Sequence, residues 1–180
     1  MIDPGLTVWF TGLSGAGKTT ISEAVAAELS ARGLQVEVID GDVIRKNLCS
    51  DLGFSKQDRE ENCRRIAFVS QLLTRNGIIV LVSAISPYRS AREAARKSIG
   101  HFIEVYVSTP LPVCERRDDK KLYKMARAGR LSGFTGIDDP YEAPLAPDIE
   151  CNTEFTSTRD ISSKVVAKIL EHTVESGLLA

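Results

Sequence analysis

Residues 12–19 read Gly12-Leu13-Ser14-Gly15-Ala16-Gly17-Lys18-Thr19, a full match to the pattern G-x-x-x-x-G-K-[ST]. The pattern constrains the fold because it works only as the turn from a strand into a helix. There, glycines let backbone N–H groups converge on phosphate oxygens while the helix presents the positive end of its dipole. The flanks supply that context. Leu6-Thr7-Val8-Trp9-Phe10 reads as a buried strand, and Ile21, Ala24, Val25 and Leu29 recur at helical spacing until Gly33 stops the run. A chance match in a chain this long is on the order of one in a hundred before the flanks are counted. A tight glycine turn with no ligand gives no reason for Lys18, whose ammonium suits the β- and γ-phosphates of ATP. The Thr19 hydroxyl suits Mg²⁺, and Thr20 carries the loop into the helix. ATP and Mg²⁺ are therefore the expected cofactors.

The rest of the chain predicts the sheet that such a loop needs. A second strand is expected over Gln35 to Ile39, then a short helical segment ending near Gly53. A longer helix with Ile66, Val69, Leu72 and Leu73 on one face follows, ending before Gly77. Strands at Ile78 to Val82 and Phe102 to Val107 flank a basic helical stretch, Ser90 to Lys97, and a short strand near Asp148 to Cys151 precedes a terminal helix. Ser157 and Asp160 read as that helix's capping box, with Ile161, Val165, Ile169 and Leu170 as its buried stripe. Strands this continuously apolar belong in a parallel sheet covered on both faces. The expectation is a doubly wound, mainly parallel α/β fold of P-loop kinase architecture, formed as one domain over residues 1–180.

Composition excludes several classes. The formal charge of −1 leaves no global basic field for nucleic acid, so anions must be met by local cations. No apolar run has the length of a membrane span, and Met1 to Phe10 carries no basic region before its apolar stretch, so a cytoplasmic protein is expected. Cys49, Cys63, Cys114 and Cys151 are scattered, without a C-x-x-C pair, and read as reduced structural thiols. His101 and His172 offer each other no metal-site spacing.

Asp40-Gly41-Asp42 closes the second strand, at the sheet edge where ligands of open α/β folds collect. One carboxylate can orient Mg²⁺ or its waters and the other can accept a proton from an attacking hydroxyl; equally, the pair can be a polar turn that caps the next helix. From residue 116 to 136 the chain is basic and punctuated by Gly129, Gly133 and Gly136, the composition of a lid that closes over an anion. Glu60 and Glu61 beside Arg59, Arg64 and Arg65 read as a solvated helix face, with Glu60 and Arg64 as an i,i+4 pair.

Several strings in order resemble the adenylyl-sulfate kinase family: Asp40 to Arg45, Leu52-Gly53-Phe54-Ser55, Asp58 to Arg65, Ile85-Ser86-Pro87-Tyr88, Leu122-Tyr123-Lys124, and Gly133 to Asp138 with Tyr141-Glu142. The resemblance runs from about Val8 to Pro147. It implies transfer of the ATP γ-phosphoryl group to the 3′-hydroxyl of adenylyl sulfate. It further implies that Asp42, Arg45, Phe54, Arg59, Asn62, Ile85, Ser86, Lys120, Gly133 and Phe134 surround that substrate. On this reading Arg45 and Arg59 meet the phosphosulfate and the two phenylalanines sandwich the adenine. Asp42 is the preferred base and Asp40, with Thr19, the metal-side partner, although the two aspartates can exchange roles. Lys18 completes the catalytic set, and Ser86 is read as a substrate contact rather than an obligatory phospho-carrier. The family usually has Lys-Gly-Leu-Tyr where this chain has Lys120-Lys121-Leu122-Tyr123. The resemblance also implies a homodimer and functional coupling to a separate ATP sulfurylase. Two other readings share the same loop: a kinase-like nucleotide sensor without catalysis, and a P-loop kinase for another small metabolite.

Overall fold

The computed structural model describes residues 5–175; Met1 to Pro4, read above for targeting signals, lie outside them. Strand β1 (Leu6–Thr11) is buried along its whole length, and helix α1 (Lys18–Ala31) follows the glycine loop. Then come β2 (Val36–Asp40), α2 (Gly41–Asn47), α3 (Lys56–Thr74), β3 (Ile79–Ser83), α4 (Arg89–Ile99) and β4 (Phe102–Val107). Two short helices, α5 (Leu111–Arg116) and α6 (Leu122–Arg127), precede β5 (Ile149–Cys151) and α7 (Thr158–Glu175).

The strand order is β2-β3-β1-β4-β5 and every pairing is parallel. Side-chain alternation divides the interior into two cores. Leu6, Val8 and Phe10 of β1 pack with Ile21, Val25 and Leu29 of α1 and with Ile161, Val165 and Ile169 of α7, while Trp9 points the other way, among Ile66, Ala67, Ala95 and Ile99 of α3 and α4. Burying each such aliphatic side chain stabilises the fold by roughly 2 kcal/mol, the sum being opposed by chain entropy of similar size. The chain leaves β1 for β2 on one side and later crosses to β4 on the other. The crevice at the strand C-termini around β1 is thus the switch point at which such sheets bind ligands.

The doubly wound expectation holds, with local differences. The helix after β2 stops at Asn47, because Leu48 to Leu52 turn back so that Cys49 N–H bonds the Ile44 carbonyl at 3.0 Å. The buried side of α3 runs through Arg59, Asn62, Cys63, Ile66, Ala67 and Ser70, with Val69 and Leu73 only flanking it, so polar residues enter the interior at the site end. Ser55 and Asp58 form a reciprocal capping box there that the sequence reading missed, while at α7 Ser157 Oγ accepts from Asp160 N–H (3.1 Å) and donates to the Asp160 carboxylate (2.6 Å), the forward half of the expected box. Glu60 does not pair with Arg64. Arg64 turns to Glu61 (2.7 Å), which also takes Arg65 (2.9 Å), while Glu60 accepts from Ser90 Oγ at 3.3 Å. His101 and His172, far apart in sequence, meet edge to face with centroids 5.8 Å apart. All four cysteines are buried and free.

One buried cation organises the site end of α4. Arg92, 3% exposed, donates to Glu104 Oε1 (2.7 Å), to the Ser86 carbonyl (2.6 Å) and to the Glu142 carbonyl (2.6 Å). Arg92→Leu is expected to lower the unfolding free energy by about 3–5 kcal/mol in a urea titration, since it strands a buried carboxylate and two carbonyls. A loss below about 1 kcal/mol would show the network to be dispensable.

Candidate active site

The glycine loop has the backbone its composition demands. Gly12, Gly15 and Gly17 all have positive φ (148°, 74° and 102°), and a Cβ on Gly12 would lie 2.5 Å from the Val107 carbonyl oxygen of β4. Lys18, 8% exposed, donates from Nζ to the carbonyls of Gly12 (3.0 Å) and Leu13 (2.7 Å), which leaves one ammonium hydrogen for the cavity. Burial lowers its pKa to about 8, against the opposing pull of nearby groups that include the Asp42 and Asp40 carboxylates. Thr19 Oγ1 donates to Asp40 Oδ2 at 3.1 Å and lies 3.1 Å from Ser83 Oγ. Asp40 uses its other oxygen to cap α2, accepting from Asp42 N–H (2.8 Å) and Val43 N–H (3.2 Å). The capping and metal-side readings of Asp40 therefore do not exclude each other.

Thr19 and Asp40 place two hard oxygen donors side by side. Among the described residues no group of three or more His, Cys, Asp or Glu could hold a metal by itself. That donor set fits Mg²⁺, which keeps several waters and takes its remaining ligands from phosphates.

Across a cavity of about 880 Å³ stands a second wall built from α2, α3, the loop after β3 and the 116–136 segment. Asp42 pairs with Lys120; both side chains are more than 60% exposed, so the pair contributes little to stability. Arg45 donates to the Gly53 carbonyl (2.6 Å) and stacks 4.6 Å over the Phe54 ring, which is itself 58% exposed. Arg59 is buried and bonds the carbonyls of Phe54 (2.9 Å) and Gly133 (2.5 Å), with Asp139 Oδ2 at 3.5 Å. Phe134 is buried edge-on against Tyr123, with centroids 4.9 Å apart. Its backbone is gripped by Asp138, whose carboxylate accepts from Gly133 N–H and Phe134 N–H at 2.7 Å each; those bonds hold that carboxyl below the usual range. Asn62 is buried and Ile85 half-buried, and both line the cavity.

Most of the residues read from the sequence thus converge: Ser14, Gly15 and Gly17 to Thr20, then Asp40, Asp42, Arg45, Phe54, Arg59, Asn62, Ile85, Ser86, Lys120 and Phe134 all line this one cavity. Gly12, Leu13, Ala16 and Gly133 do not, and act through their backbones instead. The Ser86 hydroxyl is turned inward, accepting from Trp9 Nε1 (2.9 Å) and bonding Thr11 Oγ1 (3.2 Å), and its backbone sits at φ 40°. Arg117, another cation of the basic stretch, reaches Thr153, donating to its hydroxyl (2.6 Å) and carbonyl (3.0 Å); Thr153 in turn bonds the Ala16 carbonyl behind the glycine loop. The sequence reading missed Ser83 and Thr153, and it held Thr135 and Tyr123 only as members of the strings that resemble the family; the Tyr123 hydroxyl donates to the Ser14 carbonyl at 2.8 Å. Of the two missed residues, only Ser83 carried a signal, as the polar end of an apolar strand.

The sequence profile of the family described as adenylylsulphate kinase matches residues 4–152. The chain belongs to the adenylyl-sulfate kinase family. An adenylyl-sulfate kinase from Picosynechococcus is 61% identical over 167 residues, covering 93% of this chain and 94% of the relative. One from Microcystis aeruginosa is 60% identical over 167 residues, covering 93% and 92%. Among solved structures, the Mycobacterium tuberculosis APS kinase in complex with AMPPNP and APS superposes with a TM-score of 0.90 at 46% identity, covering 93% of this chain and 98% of that one. A gluconokinase from Sinorhizobium meliloti, at 20% identity and a TM-score of 0.61, shares the fold alone.

The family's usual glycine in the Lys-Gly-Leu-Tyr string has a physical reason here, because Lys121 occupies the left-handed region at φ 57°, ψ 22°. Lys121→Gly is expected to raise thermal stability by about 1 kcal/mol by relieving that conformation; a lower melting temperature would contradict the strain. A phosphate anion at Lys18 favours its charged form, so bound nucleotide holds its pKa above the free value of about 8. Binding of MgATP at a pH just above 8 should therefore take up protons, seen as a buffer-dependent calorimetric heat, and affinity should fall as pH rises through that value. Equal heats in buffers of different ionisation enthalpy would contradict this.

Proposed function

We propose that this chain transfers the γ-phosphoryl group of ATP to the 3′-hydroxyl of adenylyl sulfate, giving 3′-phosphoadenylyl sulfate and ADP. The observation that carries the reading is the composition of the wall opposite the glycine loop. There Arg45, Arg59 and Lys120 supply cations and Phe54 and Phe134 supply aromatic faces, in a chain 61% identical to an adenylyl-sulfate kinase over nearly its full length. A purine nucleotide with a phosphosulfate needs both.

In this mechanism the glycine loop and Lys18 hold the β- and γ-phosphates, and Thr19 and Asp40 would hold Mg²⁺. The ion, when bound, neutralises charge on the phosphate oxygens. Asp42 is the base for the acceptor hydroxyl. Lys120 occupies it in the free protein, and the arriving phosphosulfate competes for that lysine and leaves the carboxylate free to take the proton. The 116–136 segment acts as the lid, anchored to the glycine loop through Tyr123 and Ser14. Ser86 contributes backbone shape rather than a phosphoryl carrier, since Trp9 and Thr11 occupy its hydroxyl. The intact Lys18, Thr19, Asp40 and Asp42 disfavour a sensor without catalysis.

The reading extends to a homodimer working in the cytoplasm beside a separate ATP sulfurylase. Four buried free thiols suit a reducing compartment, and no helix among the described residues is long and apolar enough to cross a membrane. Self-assembly has a precedent in the relative from Thiobacillus denitrificans, of which this chain covers 30% and which is described as hexameric rather than dimeric.

The test is ADP release with MgATP and, in turn, adenylyl sulfate, AMP, gluconate and shikimate, with products identified by mass. Turnover with adenylyl sulfate alone is expected. Turnover with another acceptor instead would overturn the reading, and nucleotide binding without any turnover would replace it with the sensor. Asp42→Asn should lower turnover by about 10²–10⁴-fold with acceptor binding retained; near-normal turnover would remove Asp42 as the base.

A further inference from the structure

Strand β3 is apolar from Ile79 to Val82 and then ends in Ser83, which lines the cavity and is only 4% exposed. A hydroxyl placed so deeply needs a partner, and its partner among the described residues is Thr19 Oγ1, 3.1 Å away. Because β3 lies between β2 and β1, the Ser83 backbone is paired on both sides, with Asp40 as its register partner in β2 and Phe10 in β1. Residues in register on neighbouring strands project to the same face of a sheet, and the Ser83 and Asp40 side chains both reach Thr19, in the first turn of α1.

Counting protons and lone pairs shows what this contact does. A threonine hydroxyl has one proton and two lone pairs. The Thr19 proton goes to Asp40 Oδ2, since a carboxylate can only accept. Ser83 is therefore the donor in its own contact with Thr19, and it fills one of the two lone pairs. The other lone pair stays open, on an exposed threonine that lines the cavity next to Lys18. A helical threonine otherwise divides between two χ1 rotamers. Here two residues at the ends of adjacent strands select one of them, and groups carried by strands are held more precisely than groups carried by loops.

We infer that Ser83 is a positioning residue for the magnesium ion that accompanies the nucleotide: it orients Thr19 Oγ1 and leaves that oxygen one open lone pair for the cation. The inference rests on the metal-side reading of Thr19 and Asp40 above. Ser83 acts through Thr19 and not on the ion itself, in the way that outer hydrogen bonds commonly orient metal ligands.

The test is calorimetric titration of a non-hydrolysable ATP analogue into the parent and Ser83→Ala, each with Mg²⁺ and again in EDTA. In EDTA the two proteins should bind the analogue equally, because the glycine loop and Lys18 meet its phosphates without the ion. With Mg²⁺ the affinity of Ser83→Ala should fall about fivefold, the worth of one hydrogen bond. A purely structural role would not separate the two conditions. Equal affinities of the two proteins in Mg²⁺ would overturn the inference by showing that Asp40 alone orients Thr19, and an equal loss with and without the ion would overturn it by showing that Ser83 shapes the glycine loop. If Mg²⁺ does not tighten binding by the parent, the metal-side reading fails and takes the inference with it, a result the parent control shows separately.

Discussion

The three-way grip of Arg92 is the interaction on which the acceptor half of the site depends. Its guanidinium joins the carboxylate of Glu104, in the middle of the sheet, to the carbonyls of Ser86 and Glu142, two segments that otherwise have no regular structure. Ser86 sits in a backbone conformation that a non-glycine residue adopts at a cost, and it persists because surrounding bonds determine it: Arg92 on its carbonyl, Trp9 on its hydroxyl, and Thr11 on the Ile85 carbonyl at 2.8 Å. The strap at residues 141–143 is stitched to the same loop, with Glu142 N–H on the Pro87 carbonyl and Arg89 on the Ala143 carbonyl. A planar cation with five donors in a fixed fork serves three acceptors at once, which a lysine could not do in this geometry.

The nucleotide half is rigid for a different reason. Its shape comes from glycine backbone packed against β4 and from the Lys18 ammonium folded back on its own loop. Burial is what lowers the Lys18 pKa, and the same burial makes its charge effective toward a phosphate, since little water screens it. Arg117 and Thr153 brace this loop from behind, so the basic stretch after β4 supports the nucleotide site at one end and reaches the acceptor site at the other, through Lys120.

Periodicity and turn chemistry made the sheet, its helices and the glycine loop legible, because each is encoded within a dozen residues. Asp40 was legible only as alternatives, since whether a carboxylate caps a helix or faces a metal depends on where Thr19 lies, twenty-one residues away. Lys121 was visible as a departure from a pattern, and its left-handed backbone supplies the reason for that pattern. Glu60 was misread because Glu61 offers both Arg64 and Arg65 a partner and Ser90 comes in from α4. Arg92 carried no local signal at all, because it is defined by carbonyls from distant loops.

Within the wall opposite the glycine loop, the charged groups differ in how firmly they are held. Arg59 is locked by two carbonyls and Asp139, so it presents a fixed charge. Asp42 and Lys120 meet in solvent, where an exposed ion pair contributes about 1 kcal/mol at most, so an anionic acceptor separates them at little cost. A carboxylate paired that weakly is released when an anion draws Lys120 away. Had the pair been buried like Arg92 and Glu104, separating it would consume the binding energy of the phosphosulfate. The acceptor wall thus combines a rigidly held charge at Arg59 with a loosely held pair at Asp42 and Lys120.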